Sequence, residues 1–175
     1  ISHVVANKAH GIGLYRTEQI IEELGELPDE NEQYHIYSKL ASKIYPRTIT
    51  IRAFDIGGDK VKIWEFKEAN PFLGLRGVRF LLENEPIFMK QIKAILRANI
   101  HHNVHFMIPM VSTVKEVHKV KQLIKIASDE LEKEKYPHSK SIKLGIMIEV
   151  PSAALMVKEL AKEVDFLSIG TNDLI

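Results

Sequence analysis

The chain has 175 residues, 45% of them hydrophobic, and its 24 basic and 23 acidic side chains give a formal net charge of +1 at pH 7. This length and hydrophobic content can support a buried core, and the balanced charge points to neither nucleic acid nor a membrane surface as a partner. The chain has no cysteine, which excludes disulfides, thiolate metal sites and a cysteine nucleophile within these residues. No apolar run approaches the length of a membrane span and no signal-like start is visible, so a cytoplasmic protein is expected.

The amino-terminal part of the chain predicts one short strand and two capped helices. Residues 11–14 are apolar, as in a strand, and Thr17 is a suitable N-cap for a helix that Gly25 would end. The next helix begins near Asp29, which is followed by Glu32 in the spacing of a capping box. The stripe of this second helix that is expected to face the core comprises Ile36, Tyr37, Leu40, Ala41 and Ile44.

A second strand is predicted over residues 48–55, where side chains alternate and Arg52 lies on the face opposite Ile51. Gly57-Gly58-Asp59-Lys60 follows as a loop that lets the backbone approach a ligand closely, although a simple turn fits this sequence equally well. Residues 61–66 indicate a short hairpin or an extension of the strand.

Two arginines follow in a short apolar segment. Residues 70–77 form a predicted loop that runs into residues 78–82, a short strand or a helical turn. Arg76 and Arg79 lie among apolar residues, and arginines in such surroundings more often have a defined anionic partner. Pro86 then lies in the first turn of a helix. The inner face of that helix is predicted to carry Phe88, Ile92, Ile95, Leu96 and Asn99.

The next strand is predicted over residues 104–110. Ser112 or Thr113, together with Glu116, would cap the helix that comes after it. The apolar stripe of that helix is Val117, Val120, Ile124, Ala127 and Leu131.

Two further strands are predicted to end in polar residues. The apolar run at residues 144–148 ends in Glu149, and its composition suits a parallel strand that is covered on both faces. Ser152 is a suitable N-cap for the following helix. The residues that this helix would turn inward are Ala154, Leu155, Leu160 and Ala161. A similar strand at residues 166–169 leads into Gly170-Thr171-Asn172-Asp173.

Glu149 and Asp173 thus lie at the carboxyl ends of two strands, the face where ligands and catalytic residues gather in a parallel α/β barrel. Such a pair could hold Mg²⁺, which is bound by one or two carboxylates while water and substrate oxygens fill its other positions. Each carboxylate taken alone could instead cap the next helix or pair with an arginine. The alternation of strands and helices predicts a parallel sheet, and its length and repetition favour a barrel over an open sheet.

Five motifs resemble one family and occur in the family's order across nearly the whole chain. They are GIGLYRTE at residues 11–18, RAFDIGGDK at 52–60, NPFLGLR at 70–76, GIMIEVP at 145–151 and SIGTNDL at 168–174. Together they resemble the phosphoenolpyruvate-binding domain of enzyme I, the phosphoenolpyruvate-protein phosphotransferases of the bacterial sugar phosphotransferase system. Pyruvate phosphate dikinase and phosphoenolpyruvate synthase share the barrel and the arginine and Glu/Asp motifs, whereas the DIGGDK stretch is closer to enzyme I.

The resemblance implies a partial (β/α)8 TIM barrel of the phosphoenolpyruvate/pyruvate type, truncated at both ends, with about six of the eight strands. Residues 1–175 would form a single incomplete domain. Within it, Arg16, Arg52, Arg76 and Asn172 would bind phosphoenolpyruvate, and Glu149 and Asp173 would ligate Mg²⁺.

The resemblance also implies an activity, in which phosphoryl moves from phosphoenolpyruvate to a histidine on a separate domain and then to the carrier HPr. Pyruvate is released, sugar uptake is served, and the full-length enzyme is expected to be a homodimer. The family's acceptor histidine follows a Gly-Gly-x-x-Ser motif that is absent before His3, and the acid cysteine and a further substrate arginine are expected beyond Ile175. No catalytic residue is therefore expected in this chain, which starts without Met and is expected to be an inactive fragment of a longer protein.

Two alternatives to this interpretation remain open. The chain could come from a dikinase or synthase with the same barrel. It could also be a non-catalytic module that binds phosphoenolpyruvate or mediates oligomerisation.

Overall fold

The structure is a computed structural model that describes residues 6–57 and 74–174. The predictions for Ser2-His3, for Gly58-Asp59-Lys60, and for residues 61–66 and 70–73 lie outside the described residues. The described strands are Gly11–Arg16 (β1), Thr48–Arg52 (β2), Val104–Ile108 (β3), Lys143–Ile148 (β4) and Phe166–Ile169 (β5). The described helices are Glu18–Leu24 (α1), Glu30–Ile44 (α2), Val78–Glu83 (α3), Glu85–Ala98 (α4), Val114–Lys133 (α5), Pro151–Leu155 (α6), Val157–Leu160 (α7) and Thr171–Leu174 (α8).

The five strands form one parallel sheet in the order β1-β2-β3-β4-β5. A doubly wound open sheet reverses its strand order at a switch point, whereas a (β/α)8 barrel keeps the strands in chain order. The sequential order, with helices in the connections, is that of part of a barrel. The predicted fold class is therefore confirmed, with five strands in the described residues where about six were expected. Residues 78–82, predicted as a strand or a helical turn, belong to helix α3.

Local sequence signals account for the helix starts that were predicted from capping boxes. Asp29 accepts a hydrogen bond from the Glu32 backbone N–H and Glu32 returns one to the Asp29 N–H, both at 2.8 Å. Thr113 and Glu116 form the same arrangement at the start of α5. Gly25 ends α1 with φ of 77°, a conformation that glycine adopts without steric cost.

Two predicted caps are wrong. The Thr17 hydroxyl does not cap α1 but donates to the Arg52 carbonyl oxygen at 2.9 Å, because it lies against β2. Ser152 does not cap the helix after β4, which begins one residue earlier at Pro151 and breaks at Met156. Leu155, the last residue of α6, is 88% exposed. Of the four residues predicted to face inward, Leu160 is buried, whereas Ala154, Leu155 and Ala161 are exposed.

The core lies between the sheet and the long helices α2, α4 and α5. Its largest fully buried side chains include Tyr37, Phe54, Phe88 and Phe106, and the rings of the last two are 6.3 Å apart. The two long capped helices pack with the stripes expected of amphipathic helices, although Ile36, Leu40 and Ile124 are only partly buried. Among the residues that the structure describes, no helix combines the length and apolarity needed to cross a membrane.

Candidate anion- and cation-binding site

A cavity of about 400 Å³ opens at the carboxyl ends of the strands. All six predicted site residues line it: Arg16, Arg52, Arg76, Glu149, Asn172 and Asp173. The parallel register explains part of this convergence, because it pairs Arg16 at the end of β1 with Arg52 at the end of β2. The structure thus brings together side chains that are up to 157 positions apart in the sequence.

A second cavity of similar volume, about 410 Å³, lies at the amino-terminal ends of the strands, between α5 and the starts of β4 and β5. It is lined by lysine, acidic and apolar side chains, and none of the six predicted site residues is among them. Chemistry rather than volume therefore identifies the first cavity as the candidate site.

Arg52 is the last residue of β2, and its side chain is only 7% exposed. Its Nη2 donates to Glu18 Oε2 at 3.0 Å and lies 3.6 Å from Asp55 Oδ2. Its Nε is buried and has no hydrogen-bond partner among the described residues. A buried guanidinium with an unused donor beside a cavity suits an anionic ligand, because buried polar groups normally have partners.

Arg76 reaches the cavity from a loop rather than from a strand. Its Nε and Nη2 each donate to Asp55 at 2.8 Å, a bidentate pair that fixes the guanidinium plane. Hydrogen bonding to Asp55 raises the pKa of Arg76, although burial opposes this effect. The loop is fastened to the end of β2, since Gly57 pairs with Arg76 and the Gly77 N–H donates to the Ile56 carbonyl at 3.0 Å.

The Gly57 position requires glycine. It has φ of 130°, and a Cβ there would collide with the Leu75 carbonyl oxygen. The close approach at Gly57 is to the backbone of residues 75 and 76, whereas the predicted approach to a ligand stays a prediction.

Arg16 is more exposed than the other two arginines, since 56% of its side chain is exposed against 7% for Arg52 and 6% for Arg76. Its nearest described ionic contact is Glu18, with 3.7 Å between Nε and Oε2. It can therefore change orientation at little cost when an anion enters the cavity.

Glu149 is buried at the end of β4. Its Oε1 accepts a hydrogen bond from the Met110 N–H at 2.6 Å. Burial raises the pKa of Glu149 to about 7 and the charges of Asp55 and Asp173 add to this, whereas Met110 and Arg52 oppose it. A Cβ on Gly170 would lie 2.7 Å from Glu149 Cβ and 2.9 Å from Oε2, so the absence of a side chain at Gly170 makes room for this carboxyl.

Glu149 and Asp173 fit a hard divalent cation. Both line the cavity and repel each other, which a cation between them would relieve. Asp173 lies in α8, with its Oδ1 3.8 Å from Arg76 Nη1, and Asn172 precedes it. In the part of the chain that the structure describes, no group of three or more potential ligands occurs, and Mg²⁺ typically uses one or two carboxylates.

Three residues have roles that the sequence analysis did not assign or assigned wrongly. Glu18 and Asp55 hold the arginines, and their only sequence signal is an acidic residue close to an arginine at a strand end. Arg79, predicted to have an anionic partner, instead donates to neutral oxygens of Gly74, Met110 and Ser112 at 2.6 to 2.8 Å. It ties the Arg76 loop to the segment after β3 because all three acceptors lie within its reach.

The buried side-chain amide of Gln91 links two helices to the strand ends that carry the site. Gln91 Oε1 accepts from the Phe54 N–H at 3.1 Å, and its Nε2 donates to the Tyr37 hydroxyl at 3.2 Å and lies 3.4 Å from Thr17 Oγ1. These bonds connect α4 and α2 with the ends of β1 and β2. They restrain the backbone that carries the arginines.

The sequence of this chain matches one known protein family. The family described as PEP-utilising enzyme, PEP-binding domain, matches residues 1–175. The phosphoenolpyruvate-protein phosphotransferase of Staphylococcus epidermidis is 43% identical over 177 residues, and the proteins of that name from Geobacillus stearothermophilus and Mycoplasma capricolum are 41% and 42% identical. Each comparison covers 100% of this chain and 31% of the relative, so the chain spans about a third of their length.

Among solved structures, the lead(II) complex of Haloferax volcanii malate synthase is similar with a TM-score of 0.49 and 14% identity. The similarity covers 91% of this chain and 41% of that chain.

Proposed function

The chain belongs to the PEP-utilising enzymes, in their PEP-binding domain, and from this membership we propose that it is the phosphoenolpyruvate- and Mg²⁺-binding part of a phosphoenolpyruvate-protein phosphotransferase. The observation that carries the proposal is the convergence of three arginines and the carboxylates of Glu149 and Asp173 on one cavity. The names of the relatives favour this parent over a dikinase or synthase.

The charges of the cavity support a ligand that arrives with a cation. Three arginines line it, and so do three carboxylates, those of Asp55, Glu149 and Asp173. Phosphoenolpyruvate carries roughly −2.5 to −3 charges at neutral pH, counting its phosphate and its carboxylate. Because the lining charges nearly balance, a divalent cation would supply the positive charge that such an anion needs.

The residues would divide the work as follows. Arg52 and Arg76, held by carboxylates, present fixed donors to the phosphate and carboxylate oxygens, and planar guanidinium groups suit such oxygens. Arg16 is exposed and can turn onto the ligand after it enters. Asn172 would donate a hydrogen bond from the short helix α8 that follows β5.

Glu149 and Asp173 would hold Mg²⁺, which when bound would stabilise negative charge on the phosphoryl and enolate oxygens. The bond between phosphorus and the enolate oxygen breaks as a histidine nitrogen outside this chain takes the phosphoryl group. The enolate leaves with the electron pair and is protonated to pyruvate. The histidine then passes the phosphoryl group to HPr, in a cytoplasmic homodimer that serves sugar uptake.

Isothermal titration of phosphoenolpyruvate into the 175-residue chain tests the binding part of this proposal. We expect binding with Mg²⁺ that is weakened at least tenfold by EDTA, because the cation offsets the charge of the ligand. Arg52→Ala should remove binding, since it deletes a buried cation of the cavity. Arg47→Ala is the matched control, because Arg47 lies just before the amino-terminal end of the same strand, away from the cavity.

A folded chain that binds phosphoenolpyruvate equally well in EDTA, or equally well after Arg52→Ala, would overturn the site assignment. In the full-length protein, phosphoryl transfer that requires ATP or AMP would identify a dikinase or synthase instead. An unchanged role after Glu149→Ala and Asp173→Ala would identify a non-catalytic module.

A further inference from the structure

Glu18 touches both arginines at the ends of β1 and β2, and we infer that it is a positioning residue that orients them for the anionic ligand. The identity of that ligand rests on the proposed function. Glu18 itself does not line the cavity and is only 11% exposed, so it acts through the arginines and not by contact with the ligand.

One carboxylate makes three contacts here. Glu18 Oε2 accepts from Arg52 Nη2 at 3.0 Å and lies 3.7 Å from Arg16 Nε. Glu18 Oε1 accepts from the Asp55 N–H at 2.6 Å. The first helical residue after β1 is thereby joined to both ends of the turn that follows Arg52.

This arrangement leaves donors of Arg52 for a ligand. With Nη2 held by Glu18, the guanidinium plane is fixed, and no described residue forms a hydrogen bond with Nε. A fixed plane loses less conformational entropy when its donors meet a phosphate or carboxylate in two parallel bonds. Arg16 is held more loosely by the same oxygen, at a distance from which it can move to the ligand.

A purely electrostatic role for Glu18 makes the opposite prediction. A negative charge next to the site weakens the attraction for an anion, so removal of that charge alone would tighten binding. Removal of an orienting group would weaken binding. The sign of the change in affinity therefore separates the two roles.

The test is phosphoenolpyruvate titration of Glu18→Gln, which keeps an oxygen for the Asp55 N–H but removes the charge. We expect the Kd to rise about tenfold, because charge-assisted hydrogen bonds contribute more than neutral ones. Glu22→Gln is the matched control on the same helix, exposed and of equal charge change, and should leave the Kd within about twofold. An unchanged or lower Kd for Glu18→Gln overturns the inference.

Glu18→Asp gives a second test that does not change the charge. Its shorter side chain cannot span the distance to Arg52 and Asp55 together, so a positioning role predicts weaker binding here too. A charge-balancing role predicts wild-type affinity, and that result would overturn the inference even where Glu18→Gln fails to fold.

A measurement without ligand separates this inference from the proposed function. In NMR spectra of the guanidinium groups, slow rotation of the Arg52 Nη protons is expected in the wild type, with assignment from Arg52→Lys. It should become fast in Glu18→Gln and remain slow in Glu22→Gln. Slow rotation that persists in Glu18→Gln overturns the inference, whereas a chain that shows this loss but binds no phosphoenolpyruvate contradicts only the proposed function.

Discussion

Glu149 is a carboxyl group that holds its proton more tightly in the folded chain than an ordinary glutamate does. Burial raises its pKa to about 7 from the usual 4.5. Between these two values the folded state binds more protons than the unfolded state, so stability falls as the pH rises through this window. The stabilisation is fully present below the lower pKa and is lost above the higher one.

We therefore predict that the free energy of unfolding of the wild-type chain falls by roughly 3 kcal/mol, relative to that of Glu149→Gln, between about pH 4.5 and pH 7. Glutamine resembles the protonated acid and can still accept a hydrogen bond from the Met110 N–H. The variant should therefore lack this pH-dependent loss of stability, because glutamine does not ionise. Urea unfolding of both proteins at intervals of pH, without divalent cations, measures the difference. Parallel pH profiles for the two proteins would contradict a raised pKa.

At the level of single residues, the sequence identified six side chains that line the cavity but missed two carboxylates that hold the arginines. Glu149 and Asp173 could be found because strand-end carboxylates follow apolar runs. Glu18 and Asp55 were missed because their partners are 34 and 21 positions away, at distances that only the strand register and the loop path determine. Arg76 could be assigned only from the resemblance, since its loop contains no strand signal.

Capping is the element-level property that distinguishes correct from incorrect helix predictions here. The Thr113 box at the start of α5 is formed, whereas Ser152 makes no capping bond in α6. We predict that Thr113→Ala lowers the free energy of unfolding by about 1 kcal/mol and that Ser152→Ala changes it by less than about 0.5 kcal/mol. Chemical denaturation of both variants measures this, and equal losses would mean that the two helix starts are equivalent.

The elements that were predicted well are those with signals inside a single window of sequence. The capping boxes, Gly25 and the apolar stripes of α2, α4 and α5 all depend on neighbours within a few residues. The break at Met156 between α6 and α7 lies next to the exposed Leu155, in a continuous apolar pattern that favours one helix. The local pattern therefore does not encode this break.

At the scale of the molecule, the alternation of strands and helices predicted the parallel sheet, because parallel neighbours need a crossover between them. This rule alone does not determine the strand order, because a doubly wound sheet has the same crossovers and reverses its order. The structure shows that the strands lie in chain order, as in a barrel. The site then depends on this parallel arrangement, which places the carboxyl ends of β1, β2, β4 and β5 on the same side of the sheet. The side chains that line the site come from segments far apart in the sequence and lie together only in the folded state.

This dependence on folding gives a prediction for the whole chain. A ligand that binds only the folded state, and is present at a concentration of 100 times its Kd, stabilises that state by about 2.7 kcal/mol. For a chain of this size, phosphoenolpyruvate with Mg²⁺ should therefore raise the Tm by roughly 5–10 °C. Either ligand alone should raise it less, because the charges that line the cavity nearly balance until cation and anion enter together. Thermal melts with phosphoenolpyruvate, with Mg²⁺, with both, and with inorganic phosphate plus Mg²⁺ measure this coupling. Shifts from the two ligands that merely add would show that they bind at separate places.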